Sequence, residues 1–558
     1  MIDLKKALAE DIAIGLEGAG FIKPDKIVVE KPDDPARGQY ASPIGFALAK
    51  RMKKQPAEIV EAIVSHMPKK EYIGRIEGVG GFLNISLNPG WMMARLDNVI
   101  TDDLGRDLNI GKGRSVNLEF ISANPTGPMT LANSRAGFYA DTLANVFQCV
   151  GYNVTREYYV NDAGGQVRRL GESVMRRILE IQGEKIDFPE DLYRGEYIKD
   201  LASRIAEETR ENEGKEFEVG DLEDKEVLSN VSERAVEVLL GNIKQDSKEI
   251  LGIDFDVWTS EKYLRETGQA RAALTALREK GVVYKKDGAE WLKTSAYGDS
   301  EDRVVVKSDG DFSYLMPDIA YHRDKYEREY DKIFTVVGVD HQGLPPRLYA
   351  AMEALGYDKK KLEIILVGWM HLARGGEKVT MSKRAGEILT PKDLIDEVGY
   401  DAARFGMISH AAHTTLDFDL DSAKEKSERN PVYYVQYAYV RLQSILRKAK
   451  EEAVIKEVGE TVDLTNYPPL THTLELRLME QIYRWPEVVS QVAKTHAVHE
   501  LVYYARDLAT AVHAFYKNVP VLKSDKLMLQ GRLQLVLATR AVLGKTLDLL
   551  GVAKPEVM

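Results

Sequence analysis

Hydrophobic and polar positions recur with a period that changes along the chain, and the changes divide it into three parts. Over residues 1–110, apolar positions first recur at helical spacing, as at Leu4, Leu8 and Ile12, and a strand-like run then spans Ile76–Leu87 around two glycines. Apolar residues one turn apart predict an amphipathic helix, and short apolar runs broken by glycine predict paired strands. We therefore expect a small α+β domain over residues 1–110.

The middle part, residues 111–423, has the pattern of a parallel sheet with helical crossovers. Apolar, strand-like runs occur at Ser115–Ile121, Asn153–Val160, Arg303–Lys307, Lys332–Gly338 and Leu362–Gly368. Such nearly continuous apolar strands are typical of sheets that are buried on both faces. A helical stretch, Ser134–Val150, joins the first two runs, and this crossover brings the turn Asn124–Pro128 to the carboxyl edge, where open α/β sheets bind ligands. The charged helical stretch over about residues 166–290 is predicted to be an insertion.

The last part, residues 424–558, has an almost entirely helical pattern and is predicted to form a separate bundle. The fold class that follows is α/β, with a parallel-sheet domain between a small N-terminal α+β domain and a C-terminal all-helical bundle. Composition agrees with a globular protein, since 44% of the residues are hydrophobic and 29% are charged. No run of about 18 apolar residues occurs, so no transmembrane helix is expected.

Charge and cysteine content narrow the function classes. The single cysteine, Cys149, excludes an internal disulfide and a thiolate-rich metal cluster. No signal-peptide pattern begins the chain, so the expected location is the cytoplasm. A net charge of −11 argues weakly against a nucleic-acid partner, but 76 Lys and Arg residues are enough for local basic patches.

Three segments carry candidate chemistry. The first, Glu119–Asn133, contains an Asn-Pro-Thr-Gly-Pro turn before a helix, and the N–H groups at a helix start suit a triphosphate. In the second, Phe312–His322, Tyr314 and Asp318 share a face if the stretch is helical, and a carboxylate with an aromatic neighbour suits a cation. The third, Gly376–Gly386, is a basic loop suited to a pyrophosphate leaving group. The simpler interpretations are an ordinary turn, a surface helix with its aromatic residue in the core, and a solvated charge run.

The order, spacing and identity of these segments resemble the class I aminoacyl-tRNA synthetases and, among them, the arginyl enzymes. The turn stands where that class has its HIGH signature, and Thr380-Met-Ser-Lys383 resembles its KMSKS loop. Further segments are similar to the arginyl family: Glu157–Gly164, Val337–His341, Asp401–Phe405, Asn430–Tyr437 and Leu549–Val552.

The resemblance implies a Rossmann-like catalytic domain over residues 111–423, an additional tRNA-binding domain over residues 1–110 and an anticodon-binding bundle over residues 424–558. The implied activity joins L-arginine to the 3′-terminal adenosine of its tRNA through arginyl-adenylate, with ATP as a substrate and Mg²⁺ beside it. The expected partners are arginine and its tRNA, the expected state is a monomer, and no membrane partner is expected.

The family's functional positions carry over residue by residue. The arginine-binding positions are Glu119, Asn124, Tyr314, Asp318 and Gln342. The ATP-binding positions are Ser122, Ala123, Pro125, Gly127, Gly338, Asp340, His341 and Lys383. The catalytic positions are Thr130, Asn133, Ser382 and Lys383, and the tRNA-binding positions are Tyr437, Arg441, Tyr516 and Met558. No residue is expected to hold a resident metal ion. A guanidinium has five donors in a rigid fork, so carboxylate acceptors would distinguish arginine from lysine.

The chain departs from the family at both signatures. Thr130 and Asn133 replace the two histidines of HIGH, and Thr380 replaces the first lysine of KMSKS. Neither threonine nor asparagine can become cationic, and losing a transition-state donor costs about 10²–10³ in rate. We expect Lys378 to supply part of the missing charge. Two alternatives stay open: an inactive paralogue that binds tRNA or arginine without charging, and another class I synthetase or small-molecule adenylyltransferase.

Overall fold

The structure, a computed structural model, describes residues 1–32, 34–101, 103–379, 389–452 and 467–558. These residues divide into two compact units. Unit 1 contains residues 1–112, 145–152 and 425–558, and unit 2 contains residues 113–144 and 153–424. The domain boundaries near residues 110 and 424 stay predictions.

The N-terminal part of unit 1 is a small antiparallel sheet with helices. Its elements are α1 (Leu4–Gly18), β1 (Tyr40–Ser42), α2 (Ile44–Met52), α3 (Pro56–His66), β2 (Ile73–Val79), β3 (Phe82–Leu87), α4 (Pro89–Ala94) and α5 (Leu96–Thr101). The strand order is β1–β3–β2, and both pairings are antiparallel. Asp3 caps the start of α1 by accepting a hydrogen bond from the Lys6 N–H at 2.9 Å. The apolar face of α1 is fully buried, as its spacing predicted.

Unit 2 is an α/β unit built on a central parallel sheet. Its elements are β4 (Ser115–Glu119), α6 (Leu131–Cys149, shared with unit 1), β5 (Asn153–Val160), α7 (Gly165–Ile181), α8 (Glu196–Glu213), α9 (Lys225–Glu249), β6 (Val257–Ser260), α10 (Glu261–Glu266), α11 (Gln269–Glu279), β7 (Val283–Lys286), β8 (Ala289–Leu292), β9 (Arg303–Val306), α12 (Leu315–Glu327), β10 (Lys332–Gly338), α13 (Leu344–Ala354), β11 (Leu362–Val367), β12 (Met370–Arg374), β13 (Glu377–Lys378), α14 (Pro391–Val398), α15 (Tyr400–Met407), β14 (Leu416–Asp419) and α16 (Leu420–Lys424).

The central sheet has five parallel strands in the order β11–β10–β4–β5–β6. The chain leaves β4 toward β5 and β6 on one side and returns to β10 and β11 on the other. The strand order therefore reverses between β4 and β10, and ligands of open α/β sheets bind at the carboxyl ends of the strands at such a point. Glu119, the last residue of β4, pairs in register with Glu157 of β5 and Thr335 of β10.

Two strands differ from the sequence-based expectation. The run that begins at Arg303 was expected in the parallel sheet, but β9 pairs antiparallel with β8 in a separate sheet with β7. No strand was expected at β6, because its four residues include the polar Thr259 and Ser260 and are only half buried. Strand β6 nevertheless pairs with β5 and adds the fifth strand to the central sheet. Short strands of mixed polarity carry too little periodicity to be recognised.

The rest of unit 1 is the expected helical bundle, with α17 (Pro431–Glu451), α18 (Thr473–Thr495), α19 (His499–Asn518) and α20 (Lys526–Leu550). Its core contains Trp485, which is fully buried and donates a hydrogen bond to Thr546 at 3.0 Å. The N-terminal part packs on α18, since Gln39 donates to Glu480 at 2.6 Å and Tyr483 donates to the Met92 carbonyl at 2.6 Å. None of the described helices is long and apolar enough to cross a membrane.

Candidate active site and RNA-binding surface

The turn after β4 is a strained segment that neighbouring strands hold in place. Ile121 and Ser122 have φ angles of 66° and 40°, in the left-handed region that non-glycine residues rarely adopt. The Ser122 hydroxyl donates to Glu119 Oε1 at 3.0 Å and accepts a hydrogen bond from the Tyr159 N–H at 3.1 Å. Strain of this kind costs about 1–3 kcal/mol per residue and persists where surrounding contacts fix it.

Three further contacts fix the rest of this turn. Tyr158 donates to the Ala123 carbonyl at 2.9 Å, and Asn161 donates to Asn124 Oδ1 at 2.8 Å. Tyr197 of α8, in the charged helical stretch, donates to the Thr126 carbonyl at 2.8 Å. A Cβ at Gly127 would lie 3.2 Å from the Tyr197 hydroxyl, so glycine leaves this edge of the turn open. Pro125 of the same turn is buried.

Thr130 and Asn133, which replace the two signature histidines, bind each other at the start of α6. The Thr130 hydroxyl and N–H donate to Asn133 Oδ1 at 2.8 and 2.9 Å, and the Asn133 N–H donates to the Thr130 hydroxyl at 3.4 Å. This reciprocal pair satisfies free N–H groups at the helix start. The carbonyl end of the Asn133 amide is therefore occupied, and its NH₂ end is left to donate.

The end of β10 carries the second predicted nucleotide segment. A Cβ at Gly338 would lie 2.3 Å from Asp340 Oδ1, so a larger residue there would displace the Asp340 side chain. His341 Nε2 lies 3.5 Å from Asp340 Oδ2, and Asp340, His341 and Gln342 are exposed. Because β4 and β10 are adjacent, the two groups of predicted ATP-binding residues follow neighbouring strands at the reversal point of the sheet.

Helix α12 carries the predicted arginine-binding pair at its start. Tyr314 precedes the first turn and is 91% exposed, so the interpretation that placed its ring in the core is wrong. Asp318 lies in the first turn, and burial, followed by the charges of Glu119 and Glu261, raises its pKa to about 7. No cation or hydrogen-bond donor of the described chain is bound to the Asp318 carboxylate.

Glu119 is held by a buried lysine that the sequence analysis did not identify. Lys325 is 0% exposed, and its Nζ donates to Glu119 Oε2 at 2.6 Å and to the Thr335 hydroxyl at 3.3 Å. Thr335 also donates to Glu119 Oε2, at 3.1 Å, and His322 Nε2 lies 3.1 Å from the same hydroxyl. Burial, followed by the charge of Lys325, lowers the His322 pKa to about 4, so this ring is neutral.

Glu261 is a third carboxylate near Asp318 that the sequence analysis missed. It follows β6, is 5% exposed, and accepts a hydrogen bond from Arg265 at 2.7 Å. Its pKa is raised, chiefly by burial. The sequence signal for Glu261 is the pair Ser260-Glu261, which is typical of a helix start. It was not used because the strand that precedes it was not recognised. The structure thus brings three carboxylates together. Glu119 forms an ion pair with Lys325 and Glu261 with Arg265, whereas no cation of the described residues forms an ion pair with Asp318.

Comparisons with known proteins cover all three parts of the chain. Family models match the arginyl tRNA synthetase N terminal domain at residues 3–87, the class I (R) tRNA synthetase catalytic domain at 95–415 and the DALR anticodon binding domain at 435–558. An arginine–tRNA ligase of Bacillus licheniformis is 40% identical over 100% of this chain and 99% of its own length. One of Oleidesulfovibrio alaskensis is 39% identical over 96% of each chain.

This chain belongs to the arginyl-tRNA synthetase family. The arginyl-tRNA synthetase of Thermus thermophilus, 23% identical and covered in full, has the same fold with a TM-score of 0.78. The resemblance stated from the sequence is confirmed, and so is the fold class, a class I catalytic unit with an N-terminal domain and a helical C-terminal domain. The comparisons do not favour the inactive paralogue.

The match to the DALR anticodon binding domain covers the C-terminal helices, on which Tyr437, Arg441 and Tyr516 form one cluster. The Arg441 guanidinium lies 4.5 Å from the Tyr437 ring centre and 4.8 Å from the Tyr516 ring centre, and its Nη1 lies 2.9 Å from His513 Nδ1. Burial lowers the His513 pKa, which keeps that ring neutral. A cavity of about 490 Å³ beside this cluster is lined by Glu428, Pro431, Tyr434, Tyr503, Arg506, Asp507 and Thr510.

Met558 and Lys378 are not among the described contacts of either cluster, and three further predicted positions lie outside the described residues. Met558 is 42% exposed, and the described contacts of Arg441 do not include it. Thr380, Ser382 and Lys383 lie outside the described residues. Lys378, expected to supply missing charge, is exposed on β13 with its Nζ 3.4 Å from Asp417 Oδ1. That expectation stays a prediction.

Proposed function

We propose that this chain joins L-arginine to the 3′-terminal adenosine of its tRNA, with the guanidinium of arginine bound by Asp318 at the start of α12. Burial and two neighbouring carboxylates make an ionised Asp318 costly in the free protein. A guanidinium would remove that cost and could also reach acceptors on Asn124, Gln342 and Glu119. A lysine ammonium has one charge centre and cannot satisfy a planar set of acceptors, so the pocket would favour arginine.

The observation that carries this proposal is the Asp318 carboxylate without a cation. Each of the other two carboxylates is already paired, Glu119 with Lys325 at 2.6 Å and Glu261 with Arg265 at 2.5 Å. Asp318 is partly buried, and a charge that is withdrawn from water is stabilised by a ligand that pairs with it. The exposed Tyr314 precedes Asp318 by one turn and would cover the bound amino acid.

The reaction has two displacement steps. A carboxylate oxygen of arginine attacks the α-phosphorus of ATP, and pyrophosphate leaves to give arginyl-adenylate. A ribose hydroxyl of the terminal adenosine then attacks the arginyl carbonyl, and AMP leaves. Neither step needs a covalent enzyme intermediate, so rate enhancement would come from positioning and charge stabilisation.

ATP would bind across the ends of β4 and β10. Ser122, Ala123, Pro125 and Gly127 would line one side, and Gly338, Asp340 and His341 the other. Magnesium would arrive with ATP as a substrate complex held by phosphate oxygens and water. The free NH₂ end of Asn133 would donate to the phosphates, with Thr130 fixing its orientation, and Lys383 and Ser382 would bind the leaving pyrophosphate.

The tRNA would bind the bundle through Tyr437, Arg441 and Tyr516, with Met558 as a further contact. Unpaired bases are bound by stacking on aromatic rings and on arginine. Because phosphate contacts release counterions, tRNA affinity should fall with salt. We further propose a cytoplasmic monomer.

The test is charging of purified tRNA for arginine with labelled arginine, ATP and magnesium, with lysine as the control amino acid. We expect arginine-specific charging that Lys383→Ala abolishes. The matched control is Lys392→Ala, an exposed lysine on α14 whose partner is Asp396 at 2.5 Å; this variant should charge normally. Folded protein that binds the tRNA but charges nothing would support the inactive paralogue instead.

A further inference from the structure

We propose that Lys325 is a positioning residue of the arginine site, which acts by holding Glu119 and by fixing helix α12, and with it Asp318, against strands β4 and β10. This inference rests on the arginine pocket proposed above.

The first observation is that Lys325 is buried and tied to the pocket on both strands. Its Nζ donates to Glu119 Oε2 of β4 at 2.6 Å and to the Thr335 hydroxyl of β10 at 3.3 Å. It also lies 4.2 Å from the ring centre of Tyr321. A fully buried lysine without such partners would lose its charge or destabilise the fold, so these contacts determine where the helix can sit.

The second observation is the spacing on α12. Asp318 and Lys325 are seven residues apart, which places them on the same face two turns from each other. Between them, His322 Nδ1 lies 2.9 Å from the Asp318 carbonyl, and His322 Nε2 lies 3.1 Å from Thr335. These contacts tie the backbone of the first turn of α12, which carries Asp318, to strand β10, while the Asp318 carboxylate itself takes no part in them.

The third observation is the balance of charge around Asp318. The groups that act on it are Glu119 on β4, Glu261 on α10 and Lys325 on its own helix, and Tyr159 of β5 lies in the same cluster. Glu261 has its own partner in Arg265. Lys325 is thus the cation that offsets Glu119 and lowers the pKa of Asp318. Without it, Asp318 would stay protonated to a higher pH and would not pair with a guanidinium.

The experiment replaces Lys325 with methionine, which keeps the length of the side chain and removes the charge. In steady-state charging, we expect the KM for arginine to rise about tenfold or more, because removing one partner of a buried ion pair disturbs the other. The KM for ATP should change by less than about twofold. The acidic limb of the pH profile of kcat/KM for arginine should move to higher pH, by about one unit.

The matched control is Arg404→Met, because Arg404 is also a buried cation of unit 2 with a buried carboxylate partner, Asp141, at 2.6 Å. This variant should lose stability while its KM for arginine and its acidic limb stay as in the parent chain. A parallel change of kcat and both KM values in Lys325→Met and Arg404→Met would overturn the proposal in favour of a purely structural role.

A second variant keeps the test decisive if Lys325→Met folds poorly. In the double variant Lys325→Met/Glu119→Gln neither charge of the Lys325–Glu119 pair remains, so folding should recover. Because Lys325 acts in part through Glu119, the rise in the KM for arginine of the double variant should be smaller than the product of the two single effects. Multiplied effects would overturn the proposal. Failure of the parent chain to charge arginine would instead refute the function on which the inference rests.

Discussion

The two clusters of this chain are opposites in charge. In unit 2, the Asp318 carboxylate lies among buried carboxylates and has no cation among the described residues. In unit 1, the Arg441 guanidinium lies between the rings of Tyr437 and Tyr516, and no described carboxylate is within ion-pair distance of it. Each cluster lacks the charge that its proposed ligand brings, a cationic amino acid in one case and a polyanionic RNA in the other.

A third titratable group, Glu487, shows that a missing partner is a better sign of a ligand site than a perturbed pKa. Burial raises the pKa of Glu487 on α18 to about 7, as it does for Asp318. Glu487, however, accepts hydrogen bonds from the Tyr40 hydroxyl and from the Lys5 N–H, the latter at 3.2 Å. Its donors come from the protein, so it holds the N-terminal part on the bundle and needs no ligand. Perturbed pKa values mark candidate sites only when the pairing around them is also known.

The largest expected effect is that of Asp318→Asn. Removing the charge partner of a buried guanidinium should lower kcat/KM for arginine by about 10²–10³-fold. The thermal midpoint should not fall, because the variant loses an ionisation that burial makes unfavourable. Charging kinetics and thermal unfolding at pH 8 check both points. If the variant keeps the parent kcat/KM for arginine, Asp318 does not pair with the guanidinium, and the proposed contrast between the two clusters is wrong.

The next effect is that of Arg441→Leu in unit 1. Loss of a stacked guanidinium should raise the KM for tRNA about tenfold and leave the KM for arginine unchanged. Charging at several tRNA concentrations and two salt concentrations measures it. The control is Arg484→Leu, because Arg484 already donates to Asp507 at 2.9 Å. If the two substitutions raise the KM for tRNA equally, the absence of a carboxylate partner does not distinguish Arg441 as a tRNA contact.

The smallest expected effect is that of Glu487→Gln, on stability alone. The folded-state pKa is raised, so the stability that protonated Glu487 contributes is complete below its ordinary pKa and is lost as the pH rises through about 7. Between pH 5.5 and pH 8 the parent chain should therefore lose about 2 kcal/mol relative to the variant. Urea unfolding at both pH values measures the difference. A raised KM for arginine in this variant would mean that Glu487 also affects arginine binding, which contradicts the purely structural role given to it here.

The sequence predicted those parts of the site that lie on regular elements or in turns with fixed residue types. Lys332–Gly338 and Asn153–Val160 are strands within the predicted bounds, because their apolar runs are long and unambiguous. Glu261 was missed because β6 has half-buried, mixed residues. Lys325 was missed because a lysine in a charged helix is usually solvated, and nothing local distinguishes a buried one.

The sequence by itself determined the family and the long apolar strands of the central sheet, and it predicted which residues contact ATP, arginine and RNA, because these depend on local pattern and on motifs that stay together along the chain. Tertiary structure alone decided how the charges are paired. Lys325 and Glu119 are 206 positions apart, and only the alignment of α12 with β4 brings them within 2.6 Å. Once that pair forms, Asp318 is left as the carboxylate without a cation. Pairing depends on distance in space, which residue spacing along the chain does not specify.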